Sequence, residues 1–279
     1  MGTISLDEIK IWANYIYSIS GIHLDESKGY LFESRLSNFL TETKSSNFSE
    51  LFFKVRTDPD GNLKKRIISA IATGETSFFR DIFPFEALKY KILPDLIDSK
   101  SKTNSSGNTI PIRIWSSACS SGQEVYSIAM EIVELLGNLN PYEIKILGTD
   151  ISSEAITKAS RGIYSKMEVE RGVSAEKLLK YFRSEGDNWR ICDEIRALAN
   201  FKTQNLLEPF FFPNKFDIIF CRNIAIYFRE QDKINLFNKI SNVLAPRGYL
   251  IIGSTESISG ICQNFEPKNY LRTVFYQRL

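Results

Sequence analysis

The side chains best suited to chemistry in this sequence are acids and arginines. Among its 279 residues there is one histidine, His23. That excludes Ser-His-Asp and Cys-His catalysis unless His23 is the base. It lies in the turn-like stretch Ser20-Gly21-Ile22-His23-Leu24, far from any nucleophile motif, and reads as structural. Cys119, Cys192, Cys221 and Cys262 are widely spaced and form no CxxC pair. Neither a zinc site nor a disulfide framework is expected from them, and no metal site is expected elsewhere. Buried, reduced thiols of a cytoplasmic protein are the expectation. What remains is Glu124, Asp150, Arg80 and the pair Arg222-Asn223. Such groups bind and orient charged or hydroxyl-bearing ligands.

The elements that must position them alternate between strand and helix. The stretch Ile112 to Met130, IRIWSSACSSGQEVYSIAM, is organised as strand, turn of small residues and helix N-terminus. That is a cradle for a nucleotide-like ligand, because small side chains let the ligand approach the backbone. It is not the dinucleotide fingerprint, since Gly122 is its only glycine, and no Gly-Lys-Ser/Thr follows it as in a P-loop. Glu124 in the first helical turn would repel a phosphate and suits an ammonium group. A second strand, Glu143 to Leu147, ends in Gly148-Thr149-Asp150. A carboxylate there can accept hydrogen bonds from adjacent ribose hydroxyls, or it can cap the helix that begins at Ile151. Phe216 to Cys221 reads as a central buried strand with Arg222-Asn223 at its carboxyl end. Arg80 stands among aromatics at a segment junction, where an ion pair with Asp81 or Glu75 is an equally ordinary role.

Before this region, residues 5–72 carry apolar residues at helical spacing in four runs, with a turn at Asp58-Pro59-Asp60-Gly61-Asn62. Residues 98–111 read as a polar linker. Residues 162–200 break the alternation and read as a small insertion on the sheet. Pro246-Arg247-Gly248 reads as the tight connection of an edge hairpin ending in a last strand, Leu271 to Gln277. The divisions expected are a helical domain (1–75), a connecting helix and linker (76–111) and an α/β domain (112–279).

Hydrophobic residues make up 43% and charged residues 24%, an ordinary globular composition. No apolar run approaches a membrane span, and the N-terminus does not pattern as a signal peptide. A net charge of +2 argues against a dedicated duplex-binding protein. Between Lys28 and Arg66 eight basic residues meet five acidic ones, an excess of three. That face suits either solvent or an acidic partner.

Six motifs in order carry a resemblance. They are Gly74-Glu75-Thr76-Ser77-Phe78-Phe79-Arg80-Asp81, Ala118 to Ser127, Gly148-Thr149-Asp150-Ile151, Asn205-Leu206-Leu207, Phe220 to Phe228 and Gly253-Ser254-Thr255-Glu256-Ser257. With them the sequence resembles the chemotaxis receptor glutamate methyltransferases of the CheR family, over nearly its whole length. The resemblance implies a class I S-adenosylmethionine-dependent methyltransferase. Its fold would be a Rossmann-like, mostly parallel α/β sheet with an antiparallel edge hairpin, preceded by a small all-helical domain and carrying a small β insertion. It further implies that Gly74, Thr76, Arg80, Ala118, Glu124, Asp150, Ile151, Asn205, Leu206, Arg222 and Asn223 bind S-adenosylmethionine and the product S-adenosylhomocysteine. Within that set Glu124 would hold the ammonium, Asp150 the ribose, and Asn205-Leu206 the adenine. Arg80 and Tyr227 are the candidates near the transferred methyl group, although a half-buried structural tyrosine also fits position 227.

Three departures from the family pattern stand out. Gly74 stands where Asn is common, Gln123 and Val125 replace Glu and Pro, and Ser254 stands where His is frequent. The partners implied are the cytoplasmic methylation helices of chemoreceptors, met through basic residues such as Lys28, Arg35 and Arg56. No nucleic acid, no membrane insertion and a monomer are expected. In the family the insertion can also capture a receptor's C-terminal peptide as an added edge strand. Here the loop Arg183 to Trp189 is short, with one glycine and the acids Glu185 and Asp187, so no tethering peptide is expected to be needed. A methyltransferase of a small molecule or RNA, and a non-catalytic cofactor-binding scaffold, are the alternative classes. The first lacks a basic, aromatic-interleaved stripe, and the retained Arg80, Glu124, Asp150 and Tyr227 speak against the second.

Overall fold

A computed structural model describes residues 3–103 and 109–279. The N-terminal region is four helices. Helix α1 (Leu6–Ser20) starts at a capping box between Ser5 and Glu8 and stops where Gly21 turns left-handed. Helices α2 (Gly29–Glu42), α3 (Phe48–Thr57) and α4 (Asn62–Ile71) follow. Their apolar stripes close on Trp12, Ile16, Phe32, Leu36, Phe48 and Leu51, all buried. The Trp12 indole N–H finds the Phe48 carbonyl at 3.1 Å, so its polar edge is satisfied inside this core.

Helix α5 (Ile82–Ala87), a π turn (Leu88–Ile92) and α6 (Leu93–Thr103) form one rod. Here the structure corrects the linker expected over 98–111. Residues 98–103 are helical, residues 104–108 lie outside the described part, and the first strand begins at Ile110. The polar residues of 98–103 are the solvent side of a helix whose other side buries Leu93 and Leu96. Lys100 also anchors it through an ion pair with the buried Asp217 at 2.8 Å.

The α/β domain begins with β1 (Ile110–Ser117), α7 (Gln123–Leu136), β2 (Tyr142–Asp150) and α8 (Ser153–Arg161). The insertion is β3 (Ile163–Ser165), α9 (Lys166–Glu170), α10 (Ala175–Tyr181), β4 (Phe182–Glu185), β5 (Asn188–Ile191) and α11 (Asp193–Arg196). The main sheet resumes with β6 (Ala199–Thr203), β7 (Phe216–Cys221), α12 (Glu230–Val243), β8 (Leu244–Ile252), β9 (Phe265–Tyr270) and β10 (Thr273–Arg278). Strand order is β6-β2-β1-β7-β8-β10-β9. The first five run parallel, and β10 is antiparallel to both its neighbours. The order reverses at β1, so the crevice outside the carboxyl ends of β1, β2 and β7 is where such a sheet binds ligands.

One turn was misplaced by the sequence reading. Pro246-Arg247-Gly248 does not connect a hairpin. It lies within β8, where Leu244 pairs with Phe216 and Tyr249 with Ile218, so residues 245–248 bulge from the ladder. The edge hairpin is β9–β10, which turns at Leu271 in a left-handed conformation. Among the described residues no helix is long and apolar enough to cross a membrane.

The insertion folds as a three-stranded antiparallel sheet, β3-β5-β4. Two sets of contacts that fasten it to the rest bear on the site. Lys177 of α10 meets Glu131 (3.0 Å) and Glu134 (2.6 Å) of α7, and Lys89 meets the same two acids at 3.0 and 2.7 Å. Phe78 packs edge-on against Tyr164 and Phe182, and Gly172 lies directly on its backbone. A Cβ at residue 172 would stand 2.0 Å from the Phe78 carbonyl oxygen. Backbone cannot yield as a flexible side chain can. Gly172→Ala is therefore expected to cost about 1–3 kcal/mol, as other overpacking does. Thermal melting should fall by roughly 2–4 °C per kcal/mol. An unchanged melting temperature would mean that the insertion is not seated on Phe78.

Candidate active site

The loop after β1 is unusual in its backbone. Ala118, Ser120 and Gly122 all have positive φ, 59°, 49° and 91°. Gly122 is needed on two counts. Its φ is left-handed, and a Cβ there would lie 2.8 Å from that of Ala159 on α8. The loop is held open by Asp150 at the end of β2. One carboxylate oxygen accepts from Ser120 N–H (2.8 Å) and the other from Ser152 N–H (2.9 Å). Ser152, not Asp150, is the N-cap of α8. Burial pushes the Asp150 carboxyl above the usual aspartate range, and the backbone N–H groups only partly offset it. A carboxylate has about four lone-pair sites. With two taken by backbone, Asp150 retains acceptor capacity toward the cavity it lines.

Glu124, in the first turn of α7, accepts from the Ser116 hydroxyl (2.7 Å) and from Arg222 Nη1 (2.9 Å). The Arg222 guanidinium is almost wholly buried and makes two further contacts through Nη2. These go to the Arg80 carbonyl (2.9 Å) and to the Asp81 carboxylate (3.0 Å). Arg80 therefore does not pair with Asp81, as the sequence allowed. Its Nη1 donates instead to the Glu75 carbonyl at 2.8 Å, and the half-buried side chain lines the cavity. Phe79 and Asp81 on either side have positive φ. The Phe79 N–H is held by the Ser127 hydroxyl at 3.0 Å.

The far wall comes from the loop after β6 and from the helical domain. Asn205 donates to the Ile19 carbonyl (2.9 Å) and accepts from Leu207 N–H (3.0 Å). Lys239 of α12 donates to the carbonyls of Leu206 (2.5 Å), Leu207 (2.9 Å) and Glu208 (3.0 Å). Burial lowers the pKa of this lysine. The backbone N–H of His23 donates to the Tyr227 carbonyl at 2.9 Å, while Ser20 and Ile22 reach the cavity. His23 itself does not line it. Tyr227 is half-buried in a short 3₁₀ turn (Ala225–Tyr227).

All twelve residues selected from sequence face one cavity of about 160 Å³: Gly74, Thr76, Arg80, Ala118, Glu124, Asp150, Ile151, Asn205, Leu206, Arg222, Asn223 and Tyr227. The sequence reading missed Asp81, Ser116, Lys239 and the Ser20–Ile22 segment. Capping signals and spacing cannot reveal a lysine that crosses from α12 to three carbonyls about thirty residues earlier. Arg35, expected among the docking residues, donates to the Ala70 and Ile71 carbonyls at the end of α4. Its guanidinium is thus engaged within the helical domain.

The donor set fits a nucleoside that carries a cation and no phosphate. Three carboxylates, Glu75, Glu124 and Asp150, line the cavity, and a phosphate would be repelled by them. With its reversing parallel sheet and antiparallel edge pair, the chain has the fold and site of a class I S-adenosylmethionine-dependent methyltransferase. Residues 74–273 match the S-adenosylmethionine-binding domain of the CheR methyltransferases, and residues 7–71 match their all-alpha domain. The chain belongs to the CheR methyltransferase family. It is 39% identical to chemotaxis protein methyltransferase 1 of Vibrio cholerae, covering 95% of this chain and 94% of that protein. It is 35% identical to chemotaxis protein methyltransferase Cher2 of Pseudomonas putida, covering 99% and 98%. The chemotaxis protein methyltransferase of Borreliella burgdorferi is 38% identical, with 92% and 90% covered.

Asp150→Ala is expected to weaken S-adenosylhomocysteine binding by about 1.5–3 kcal/mol, roughly ten- to a hundredfold in Kd. Calorimetry reads this directly, and unchanged affinity would remove Asp150 from the binding set. The pH dependence carries a sign. Ligand hydroxyls donating to Asp150 would favour its ionised form, so binding would lower a pKa that burial has raised in the free protein. Affinity should be full at neutral pH and fall as pH drops through that raised pKa, beginning above the ordinary aspartate value of about 3.9. Asp150→Asn should flatten this acid limb.

Proposed function

We propose that the chain esterifies glutamate side chains of chemoreceptors with the methyl group of S-adenosylmethionine. The observation that carries this reading is a cavity lined by three acids (Glu75, Glu124 and Asp150), by Arg80 and Tyr227, and by no histidine. An attacking carboxylate suits such a site. A glutamate has a pKa of about 4.3 and is already ionised at neutral pH, so no general base is required.

When bound, S-adenosylmethionine supplies a sulfonium-activated methyl group. Asp150 would accept from the ribose hydroxyls. Glu124 keeps lone pairs beyond those used by Ser116 and Arg222 and would hold the ammonium. Asn205 and Leu206 would flank the adenine, with Gly74, Thr76, Ala118, Ile151 and Asn223 completing the wall. Arg80 spends one donor on Glu75 and keeps the rest of its fork for the substrate carboxylate. Its task is alignment, since displacement neutralises the carboxylate and a tight ground-state ion pair would slow it. The Tyr227 hydroxyl would assist as a weaker donor.

Receptor recognition would fall to the basic residues of the helical domain, with Lys28 and Arg56 in place of the engaged Arg35. The reaction would take place in the cytoplasm, without a tethering peptide. Supporting that, only Gly186 and Asp187 separate β4 from β5, so few backbone groups can close over an added strand. Glu185 and Asp187 would also oppose an acidic C-terminus.

Arg80→Ala should leave S-adenosylhomocysteine affinity within about tenfold and lower kcat by considerably more. The assay is labelled methyl transfer to a receptor cytoplasmic fragment, read as base-released methanol. If affinity alone fell, Arg80 would be a binding residue only. Removing the last residues of the receptor should change its methylation by no more than about twofold, because no effective-concentration gain is lost. A large drop, together with micromolar binding of the isolated tail peptide, would show the insertion to be a tether.

A further inference from the structure

The motif Gly253 to Ser257 has no part in the binding set above, yet its Glu256 has a distinctive environment. The two oxygens of its carboxylate collect three backbone N–H groups. Oε2 accepts from Asn223 (2.7 Å) and Gly253 (2.8 Å), and Oε1 accepts from Ala225 (2.9 Å). Two of these donors lie in the loop after β7 and one at the end of β8, so one side chain joins the carboxyl ends of adjacent strands. Asn223 has a left-handed backbone (φ 56°), which turns its N–H and that of Ala225 toward the same point. Gly253 completes the arrangement. A Cβ there would lie 2.7 Å from Glu256 Oε2 and 2.8 Å from Asn223 Nδ2. The loop so held carries Arg222, Asn223 and Tyr227.

We propose that Glu256 is a positioning residue for methyl transfer, fixing the Asn223–Tyr227 turn, and with it the Tyr227 hydroxyl, through three backbone N–H groups. The inference rests on the methyltransferase reading of the cavity. Without the carboxylate, three N–H groups converge on no acceptor, and the turn relaxes. Asp150 and Asn205 stand on other loops, and Arg222, which holds Glu124, precedes the turn and keeps its own partners Asp81 and the Arg80 carbonyl, so of the cofactor wall only Asn223 lies on the turn. A misplacement of about 1 Å at a reacting group can cost on the order of a hundredfold in rate.

The experiment compares wild type, Glu256→Gln and Glu256→Ala as full chains. Glutamine keeps one acceptor oxygen and the shape of the side chain; alanine keeps neither. The expected result is S-adenosylhomocysteine affinity within about threefold of wild type, with kcat per binding site down by roughly tenfold or more in Gln and further in Ala. Gly253→Ala should shift kcat the same way. A second readout needs no turnover. In protein labelled with 3-fluorotyrosine, the Tyr227 resonance, identified by its loss in Tyr227→Phe, should shift or broaden in Glu256→Gln. An unmoved Tyr227 signal, a wild-type kcat, or a parallel fall of affinity and kcat would each overturn the proposal. If wild type itself methylates no receptor, the receptor reading fails, and the Tyr227 signal still decides the role of Glu256.

Discussion

One buried cation organises the site. Arg222 emerges at the end of the central strand and spends its guanidinium on Glu124, Asp81 and the Arg80 carbonyl. Each partner belongs to a different part of the chain: α7, the start of α5, and the turn that precedes it. A buried arginine without partners would be untenable, and the partly buried Glu124 gains from the same pair. Breaking such a pair from one side commonly costs about 3–5 kcal/mol, because the remaining charge is left uncompensated. The arrangement thus does more than neutralise charge. It makes the place of Glu124 depend on the place of the Phe78–Asp81 turn, so two residues that line the cavity, Glu124 and Arg80, are set together.

That turn is pinned from every side, which explains how it can hold two residues in a left-handed conformation. Phe79 donates to Ser127. Phe78 is enclosed by Tyr164 and Phe182 of the insertion, with Gly172 against its carbonyl. Lys177 lies over the Phe79 ring at 5.0 Å while binding Glu131 and Glu134. Positive φ at a bulky residue is strained and persists only where its surroundings over-determine it. The insertion therefore has a structural duty apart from any partner it meets, as one wall of the socket that presents Arg80.

Much of this was legible in the sequence, and the illegible parts share a cause. The β1–α7 turn, the acid ending β2 and the residues after β7 are local signals: a run of small residues, a carboxylate after an apolar run, a polar pair closing a buried strand. Their convergence on one cavity follows from parallel strands whose order reverses at β1. The misreadings concern contacts made across long stretches of chain. Residues 98–103 looked like a linker because the burial of Leu93 and Leu96 and the pairing of Lys100 with Asp217 leave no local trace. Pro246-Arg247-Gly248 looked like a hairpin because a bulge inside a parallel strand uses the same residue types. Arg35 looked like a free cation because its acceptors are carbonyls at the end of another helix.

The remaining wall of the cavity explains why the helical domain belongs to the catalytic unit. Asn205 reaches the Ile19 carbonyl, and the His23 N–H reaches the Tyr227 carbonyl. Gly21 sits where a Cβ would lie 2.5 Å from the ring of Phe228. The segment after α1 therefore closes on both loops that would meet adenine and substrate. The mechanism requires such closure. A displacement without a general base gains from alignment and from exclusion of water. The α/β domain supplies the acids Glu124 and Asp150. The end of α1 and the α1–α2 connection cover the β6 and β7 loops, held by one main-chain hydrogen bond, from His23 N–H to the Tyr227 carbonyl, and by one from the Asn205 side chain to the Ile19 carbonyl.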